Sequence, residues 1–206
     1  MAFMLFSPTP RHVLIVGLGG GSITKYCVHY VPTAQITTVE INSEVIAFSD
    51  LFELPQSDER HTLVQGDAVE YVAQMRDRVD VIIVDGCDKH GIAPSFCDEA
   101  FYRQIHAHLT ERGLLVMNLV GANDARRANL RIISSIFGPN LIVQEVSNDG
   151  NQIVFAFRDS LYQPNWQLIQ RTARWLVRDH GVDFVGLANK LWRTHQGPHH
   201  QFHRRG

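Results

Sequence analysis

The chain has 206 residues, of which 45% are hydrophobic, so it is long enough to bury one sizeable core. Its formal net charge of -2 excludes the strongly basic footprint of a nucleic-acid-binding protein. Three cysteines without metal-ligand spacing are typical of reduced thiols in a cytoplasmic protein. We therefore expect a cytoplasmic globular protein with no nucleic-acid partner and no metal.

A single domain is expected from residue 1 to residue 194, because no internal repeat or low-complexity linker interrupts the chain. The apolar start, residues 1–6, is too short to cross a membrane, so we expect no membrane partner. Residues 195–206 are rich in His, Arg and Gly and predict a flexible tail. Its histidines could instead bind a metal, but we favour a mobile polar end.

The stretch HVLIVGLGGGS, residues 12–22, combines a strand, a glycine-rich turn and the start of a helix. The glycines of the turn are Gly17, Gly19, Gly20 and Gly21. Glycine lets the backbone approach a ligand closely, and a helix start offers unpaired N–H groups. The stretch therefore predicts a nucleoside or anion site, although a tight turn without a ligand remains the alternative. As a dinucleotide fingerprint it is weak, because Ser22 stands at the third glycine position.

Two acidic residues follow the next predicted strands. Glu40 lies near the end of the strand Gln35–Ile41, roughly 20 residues beyond the glycines, where an acid accepts hydrogen bonds from ribose hydroxyls. Asp67 follows the strand His61–Gln65 at the same expected sheet edge. Glu40 could instead be a surface or capping acid. Asp67 could equally cap the helix that begins at Ala68, and the spacing leaves both interpretations open.

The strand Val79–Val84 leads into Asp85-Gly86-Cys87-Asp88, which carries the strongest chemical signal. Of two carboxylates at i and i+3, one can hold a cationic substrate while the other accepts a proton from it. Like charges this close also perturb each other's protonation, as a general base requires. A polar turn in which Asp88 only caps a helix is the alternative.

Apolar runs alternate with helical patterns along the rest of the chain, which predicts βαβ units and a parallel sheet. We expect helices over 95–109, 123–137, 165–180 and 184–192, and strands over 114–120, 141–146 and 153–157. The last two strands flank a hairpin signal. This layout resembles the α/β class I S-adenosylmethionine-dependent transferase fold. That Rossmann-like fold has a mostly parallel seven-stranded sheet, ending in an antiparallel hairpin, with helices on both faces.

The matching motifs extend over residues 11–157 and resemble the spermidine synthase (polyamine aminopropyltransferase) family. They are VLIVGLGGGS, ITTVEINSEVI, LVQGDAVEYV, VDVIIVDGCD and EAFYRQIHAHLTERGLLVMNLV. The resemblance implies aminopropyl transfer from decarboxylated S-adenosylmethionine to a polyamine such as putrescine, with release of 5′-methylthioadenosine. It also implies a small-molecule amine partner, no metal, and a homodimer as the family's habit.

The resemblance also implies roles for particular residues. The residues expected to line or hold the nucleoside are Gly17, Gly19, Gly21, Glu40, Asp67 and Ala68. Among them, Glu40 would hold the ribose diol, and Asp67 would contact the adenine amino group. Asp85 would orient and deprotonate the attacking amine, and Asp88 would help to hold the polyamine.

The chain departs from the family's pattern at several points. Gly20 replaces the aspartate of the usual GGGDGG motif, and Lys89 replaces the proline after Asp88. We expect the family's usual N-terminal β-domain to be missing, and a tyrosine expected before the last hairpin is not evident in the sequence. Loss of the acid at Gly20 removes a repulsion against the carboxylate of S-adenosylmethionine, which favours methyl transfer. Ile15, where methyltransferases usually carry an acid, favours aminopropyl transfer. A non-catalytic nucleoside-binding module and an NAD dehydrogenase are the remaining alternatives.

Overall fold

The computed structural model describes residues 1–55, 57–88, 91–146 and 150–196, and for residues 87, 88, 91 and 92 it describes the backbone. The strands within these ranges are β1 His12–Val16, β2 Gln35–Glu40, β3 His61–Gln65, β4 Val79–Val84, β5 Cys87–Asp88, β6 Gly91–Ile92, β7 Leu109–Leu119, β8 Ile142–Glu145 and β9 Gln152–Phe157. The α-helices are α1 Ser22–Tyr30, α2 Ser43–Ala47, α3 Ala68–Gln74, α4 Glu99–His108, α5 Asn123–Phe137, α6 Trp166–His180 and α7 Phe184–Gln196. Short 3-10 helices span Ala2–Leu5 and Pro94–Cys97.

Seven strands form one sheet in the order β3-β2-β1-β4-β7-β9-β8. The pairs from β3 through β7 are parallel, whereas β9 runs antiparallel to both β7 and β8. The predicted parallel sheet with an antiparallel end is thereby confirmed. The short strands β5 and β6 form a separate antiparallel pair directly after β4.

The sheet is covered on both faces, because successive residues of its central strands are buried on opposite sides. Ile15 of β1 packs with α1, α6, α7 and the first 3-10 helix, whereas its neighbour Leu14 packs with α3, α4 and α5. Both side chains are completely buried. The predicted helices on both faces are therefore confirmed, and the apolar strands form the layer between them.

Several elements have bounds that differ from the sequence expectation. The expected helix over 95–109 is a 3-10 turn followed by α4, because Asp98 caps α4 by accepting a hydrogen bond from the N–H of Ala100 at 3.0 Å. Strand β7 begins at Leu109 rather than at 114, since Leu109 already pairs with Val79 of β4 across a register shift. Helix α7 extends to Gln196, and residues 197–206 of the expected tail lie outside the described residues.

At the N-terminal edge of the sheet, one carboxylate connects three strands. Asp80 of β4 accepts hydrogen bonds from the backbone N–H groups of Arg11 and His12 at 2.7 and 3.3 Å. Its other oxygen accepts from the hydroxyl of Thr110 on β7 at 2.9 Å. These contacts fix β1, β4 and β7 at the end of the sheet that faces away from the glycine-rich turn. Within the described ranges, no helix has the length and apolar character needed to cross a bilayer.

Candidate active site

The glycine-rich turn, Glu40, Asp67 and Asp85 all lie at the carboxyl ends of parallel strands, where open α/β sheets bind ligands. Backbone hydrogen bonds join these strand ends. The N–H of Gly17 donates to the carbonyl of Val39, and the N–H of Asp85 donates to the carbonyl of Val16, both at 2.9 Å. The structure therefore places the predicted site residues at one edge of the sheet.

Two positions of the glycine-rich turn require glycine for a structural reason. Gly17 has φ +95°, and a Cβ there would lie 2.7 Å from the backbone oxygen of Asp85. Gly21, which caps α1, has φ +71°, and a Cβ would lie 2.6 Å from Cδ1 of Leu54. Gly20 differs from both, because it has open space around it and no positive φ. The backbone at residue 20 can therefore carry a side chain.

Glu40 is positioned by two backbone amides. Its Oε2 accepts a hydrogen bond from the N–H of Leu18 in the glycine-rich turn, and its Oε1 accepts from the N–H of Asn42, each at 2.8 Å. A carboxylate has about four lone-pair sites, so each oxygen retains capacity for a further donor. The half-buried Glu40 side chain thus presents acceptors beside the turn in one fixed orientation.

Asp67 caps α3, which confirms the helix-capping role that the sequence left open beside a ligand-binding role. Its Oδ1 accepts a hydrogen bond from the N–H of Val69 at 2.7 Å. Ala68 is the first residue of α3 and is buried. N–H groups in the first turn of a helix have no acceptor within the helix. The capping contact is compatible with a role in binding, because it engages one of the two carboxylate oxygens.

Asp85 is held by a residue that the sequence reasoning missed. The side-chain amide nitrogen of Asn118, near the end of β7, donates to Oδ1 of Asp85 at 2.7 Å. The Oδ1 of Asn118 is buried and has no hydrogen-bond partner among the described residues. Reversing the amide would bring two oxygens together, so the hydrogen bond defines its orientation. A polar residue near the end of the apolar run LLVMNLV was the available signal.

Asp85 and Asn118 border a cavity of about 340 Å³ on the α1 and α7 face of the sheet. The rest of its described lining is mainly apolar and comes from the first residues of the chain, α1, β4, β7, β9, Val182 and α7. Such a volume is at the lower end of the range for small-molecule sites. The second acid of the motif, Asp88, belongs to β5, and its backbone pairs with Gly91.

The described residues include no group of three His, Cys, Asp or Glu side chains that could hold a metal ion. The donors and acceptors at the sheet edge are instead carboxylates, an amide and backbone N–H groups. Such groups suit the hydroxyl and amino groups of a nucleoside and the N–H groups of an amine.

The strand order, the glycine-rich turn and the acids at the strand ends define a nucleoside-binding transferase domain of the class I S-adenosylmethionine-dependent fold. The sequence model of the spermine/spermidine synthase domain matches residues 2–123, and the chain belongs to this family. The polyamine aminopropyltransferase of Chromobacterium violaceum is 30% identical over 197 residues, which cover 95% of this chain and 76% of that protein. The resemblance inferred from the motifs is thereby confirmed.

Two solved structures illustrate the range of neighbours. Human methyltransferase-like protein 13 in complex with SAH has a TM-score of 0.72 and 25% identity, covering 96% of this chain and 86% of that chain. A spermidine synthase in complex with the transition state analogue AdoDATO has a TM-score of 0.69 and 21% identity, covering 89% of this chain and 63% of that chain. The predicted fold class is confirmed by both.

Proposed function

We propose that this chain transfers an aminopropyl group from decarboxylated S-adenosylmethionine to a primary amine such as putrescine, with release of 5′-methylthioadenosine. Family membership and the 30% identical polyamine aminopropyltransferase support this activity. The single observation that carries it is the placement of Asp85, held by Asn118 beside both the glycine-rich turn and the cavity.

The reaction requires orientation and a base, because a sulfonium is already an activated leaving group. In the proposed step the amine nitrogen attacks the carbon next to sulfur, and a carbon–nitrogen bond forms. The carbon–sulfur bond breaks, its electron pair stays on sulfur, and the carboxylate of Asp85 takes the proton of the amine. In this proposal Asp88 helps to hold the amine.

The nucleoside part of the substrate is assigned to the other strand ends. Glu40 accepts hydrogen bonds from the ribose hydroxyls, using the lone pairs that are not engaged by its two backbone N–H contacts. Asp67 contacts the adenine amino group with Ala68 beside it, and the turn of Gly17, Gly19 and Gly21 lines the nucleoside. This set contacts the parts that decarboxylated S-adenosylmethionine shares with S-adenosylmethionine, so it does not discriminate between them.

Methyl transfer from S-adenosylmethionine is the second candidate, and a specific observation favours it. Gly20 leaves open space where the family usually has an aspartate, so the carboxylate of S-adenosylmethionine meets no opposing charge from that position. A charge-assisted hydrogen bond contributes about 1.5–3 kcal/mol, or roughly tenfold to a hundredfold in affinity. The similarity to methyltransferase-like protein 13, of which the chain covers 86%, agrees with this candidate.

Calorimetric titration with the two nucleosides side by side distinguishes the candidates. Tighter binding of decarboxylated S-adenosylmethionine supports aminopropyl transfer, and tighter binding of S-adenosylmethionine supports methyl transfer. The variant Asp85→Asn should abolish release of 5′-methylthioadenosine and leave nucleoside affinity nearly unchanged. Asp179→Asn, which alters an exposed carboxylate on α6, is the matched control. Undiminished turnover by Asp85→Asn would overturn the assignment, and nucleoside binding without turnover on any amine would indicate a binding module.

A further inference from the structure

We propose that two copies of this chain associate through two oppositely charged apolar surfaces that both border α1. One surface is a basic stripe on α6, and the other is an acidic segment that begins in α2. The family resemblance implies a homodimer but assigns no surface to it. The proposed reaction does not depend on this association, so each can be tested without the other.

The basic surface consists of Leu168, Arg171, Trp175 and Arg178 on α6. These residues are three or four positions apart, so they lie on one side of the helix. The opposite side of α6 packs into the core. Leu168 is 57% exposed and Trp175 is 49% exposed, and both arginines are exposed as well. Trp and Arg are enriched at protein interfaces, so this stripe is suited to contact with another protein.

The acidic surface consists of Glu44, Phe48, Asp50 and Leu51, in α2 and the turns that follow it. The N–H of Phe48 donates to the carbonyl of Glu44 at 3.2 Å, so the chain keeps a helical spacing beyond α2. Phe48 is 52% exposed and Leu51 is 74% exposed, and both acids are exposed. Residues 40–59 contain six Asp or Glu residues and no Lys or Arg, so two such surfaces would repel each other.

Both surfaces are fixed to α1. The ammonium group of Lys25 on α1 donates to the carbonyl of Phe52 at 2.7 Å, next to the acidic surface. The ring of Tyr30 on α1 stacks on His180 at the end of α6, with the ring centroids 4.9 Å apart. A two-fold axis that passes near α1 therefore allows the acidic surface of each copy to meet the basic surface of the other. The same contact is then made twice.

A second copy of the chain fits this pair of surfaces better than an anionic partner does. An anionic membrane would cover the basic surface, but the acidic surface would repel it and would leave Phe48 and Leu51 in water. Two copies cover both surfaces and bring arginines to carboxylates. The intramolecular ion pairs of the described residues lie on α4 and α5, so the charges of both surfaces remain available to a partner.

Sedimentation equilibrium of the full chain measures the association. We expect a dimer with twice the 23.3 kDa mass of the chain. Arg171→Glu combined with Arg178→Glu should raise the dissociation constant at least about a hundredfold, because like charges would then meet in both contacts. Glu44→Lys combined with Asp50→Lys should have the same effect from the other surface. A monomeric unaltered chain, or a dimer that either charge reversal leaves intact, would overturn the proposal.

A mixture of the two charge-reversed variants tests which surfaces pair. In the mixed dimer both contacts again join opposite charges, so we expect association to be restored. The matched control is Arg127→Glu combined with Arg131→Glu, which makes the same change in charge on exposed positions of α5, on the other face of the sheet. It should remain dimeric. A mixture that stays monomeric although each variant keeps the Tm of the unaltered chain would contradict the pairing.

A substitution without a change of charge provides a second test. Trp175→Ala removes the largest apolar side chain of the basic surface and should raise the dissociation constant at least about tenfold. Trp192→Ala is the matched control, because Trp192 is an exposed tryptophan on α7 outside both surfaces. Equal dissociation constants for the two variants would argue against the basic surface as the interface.

Cosedimentation with vesicles distinguishes the competing occupant. Vesicles of phosphatidylserine and phosphatidylcholine are mixed with the unaltered chain, and we expect the protein to remain in the supernatant as a dimer. Binding of a monomeric chain to these vesicles, abolished by Arg171→Glu combined with Arg178→Glu, would assign the basic surface to a membrane and overturn the proposal.

Discussion

The side-chain amide of Asn118 donates to Oδ1 of Asp85 at 2.7 Å and leaves its own Oδ1 buried without a described partner. The two residues lie on the neighbouring parallel strand ends of β4 and β7. The nitrogen end of the amide therefore orients the proposed base. Asn118 is thus a positioning residue for the proposed reaction.

Replacing Asn118 by Ala should lower kcat by about tenfold to a hundredfold. A hydrogen bond to a charged group contributes about 1.5–3 kcal/mol, and the variant loses the one that orients Asp85. Affinity for 5′-methylthioadenosine should change little, because the proposed nucleoside contacts lie at other strand ends. The control is Asn140→Ala, since Asn140 precedes β8 and bonds to the carbonyl of Ser160. An unchanged kcat would remove Asn118 from the mechanism.

The variant Glu40→Gln should weaken binding of 5′-methylthioadenosine by roughly tenfold to a hundredfold. The carboxylate accepts from two backbone N–H groups, at Leu18 and Asn42, and glutamine would turn an NH₂ group towards one of them. Calorimetric titration measures the effect. Glu44→Gln makes the same change at an exposed position on α2 and should bind as the unaltered chain does. Equal affinities for the two variants would argue against a ribose-binding role for Glu40.

Two glycines of the turn should respond differently to the same substitution. In Gly17→Ala the new Cβ meets the backbone oxygen of Asp85 at a positive φ, so we expect a loss of about 1–3 kcal/mol and a lower Tm. Gly20→Ala meets no atom within 4 Å and should change stability by no more than about 0.5 kcal/mol. Thermal unfolding of both variants provides the comparison, and a larger loss for Gly20→Ala would contradict this account.

Stability should decrease as the pH falls below about 7, partly because of His180. Burial lowers the pKa of His180 below its ordinary value of 6.5, although Asp179 opposes the shift. Its Nδ1 lies within hydrogen-bonding distance of the Tyr26 hydroxyl, at 2.7 Å, and burial raises the pKa of that hydroxyl, which keeps it protonated. The unfolded chain therefore binds a proton that the native His180 excludes, and stability rises with pH through this window.

The measurement for His180 is the free energy of unfolding at pH 5.5, 6.5 and 7.5. His180→Gln should have a shallower pH dependence than the unaltered chain, because glutamine does not titrate. Burial also lowers the pKa of His12, so His12→Gln should remove a separate part of the slope. An identical slope in the unaltered chain and in His180→Gln would contradict the assignment.

The sheet was predictable because its strands are apolar runs with β-branched residues, and short runs of that kind lie in the middle of parallel sheets. The run Val79–Val84 is an example, and every residue of it except Asp80 is buried. The positions of Glu40 and Asp85 followed from the same rule, since each stands where such a run ends. Their roles in binding and reaction remain predictions.

Features that depend on contacts between distant segments were not predictable. Asn118 lies within an apolar run, and its partner Asp85 is 33 residues earlier in the chain. The cavity requires α7 and β9 to pack near the first residues of the chain, which no local pattern indicates. Helix α2 has five residues and none of their side chains is buried, so packing does not extend it.

The carboxylate of Asp80 joins β1, β4 and β7 at the edge of the sheet opposite to Asp85. Two acids near opposite ends of β4 thus have different roles: Asp80 secures the scaffold, and Asp85 is the proposed base. An engineer could therefore strengthen the contacts around Asp80 to obtain a more heat-tolerant protein while leaving the chemistry at Asp85 unaltered. Because strand β4 separates Asp80 from Asp85, the stability of the fold can be altered without altering the proposed active site.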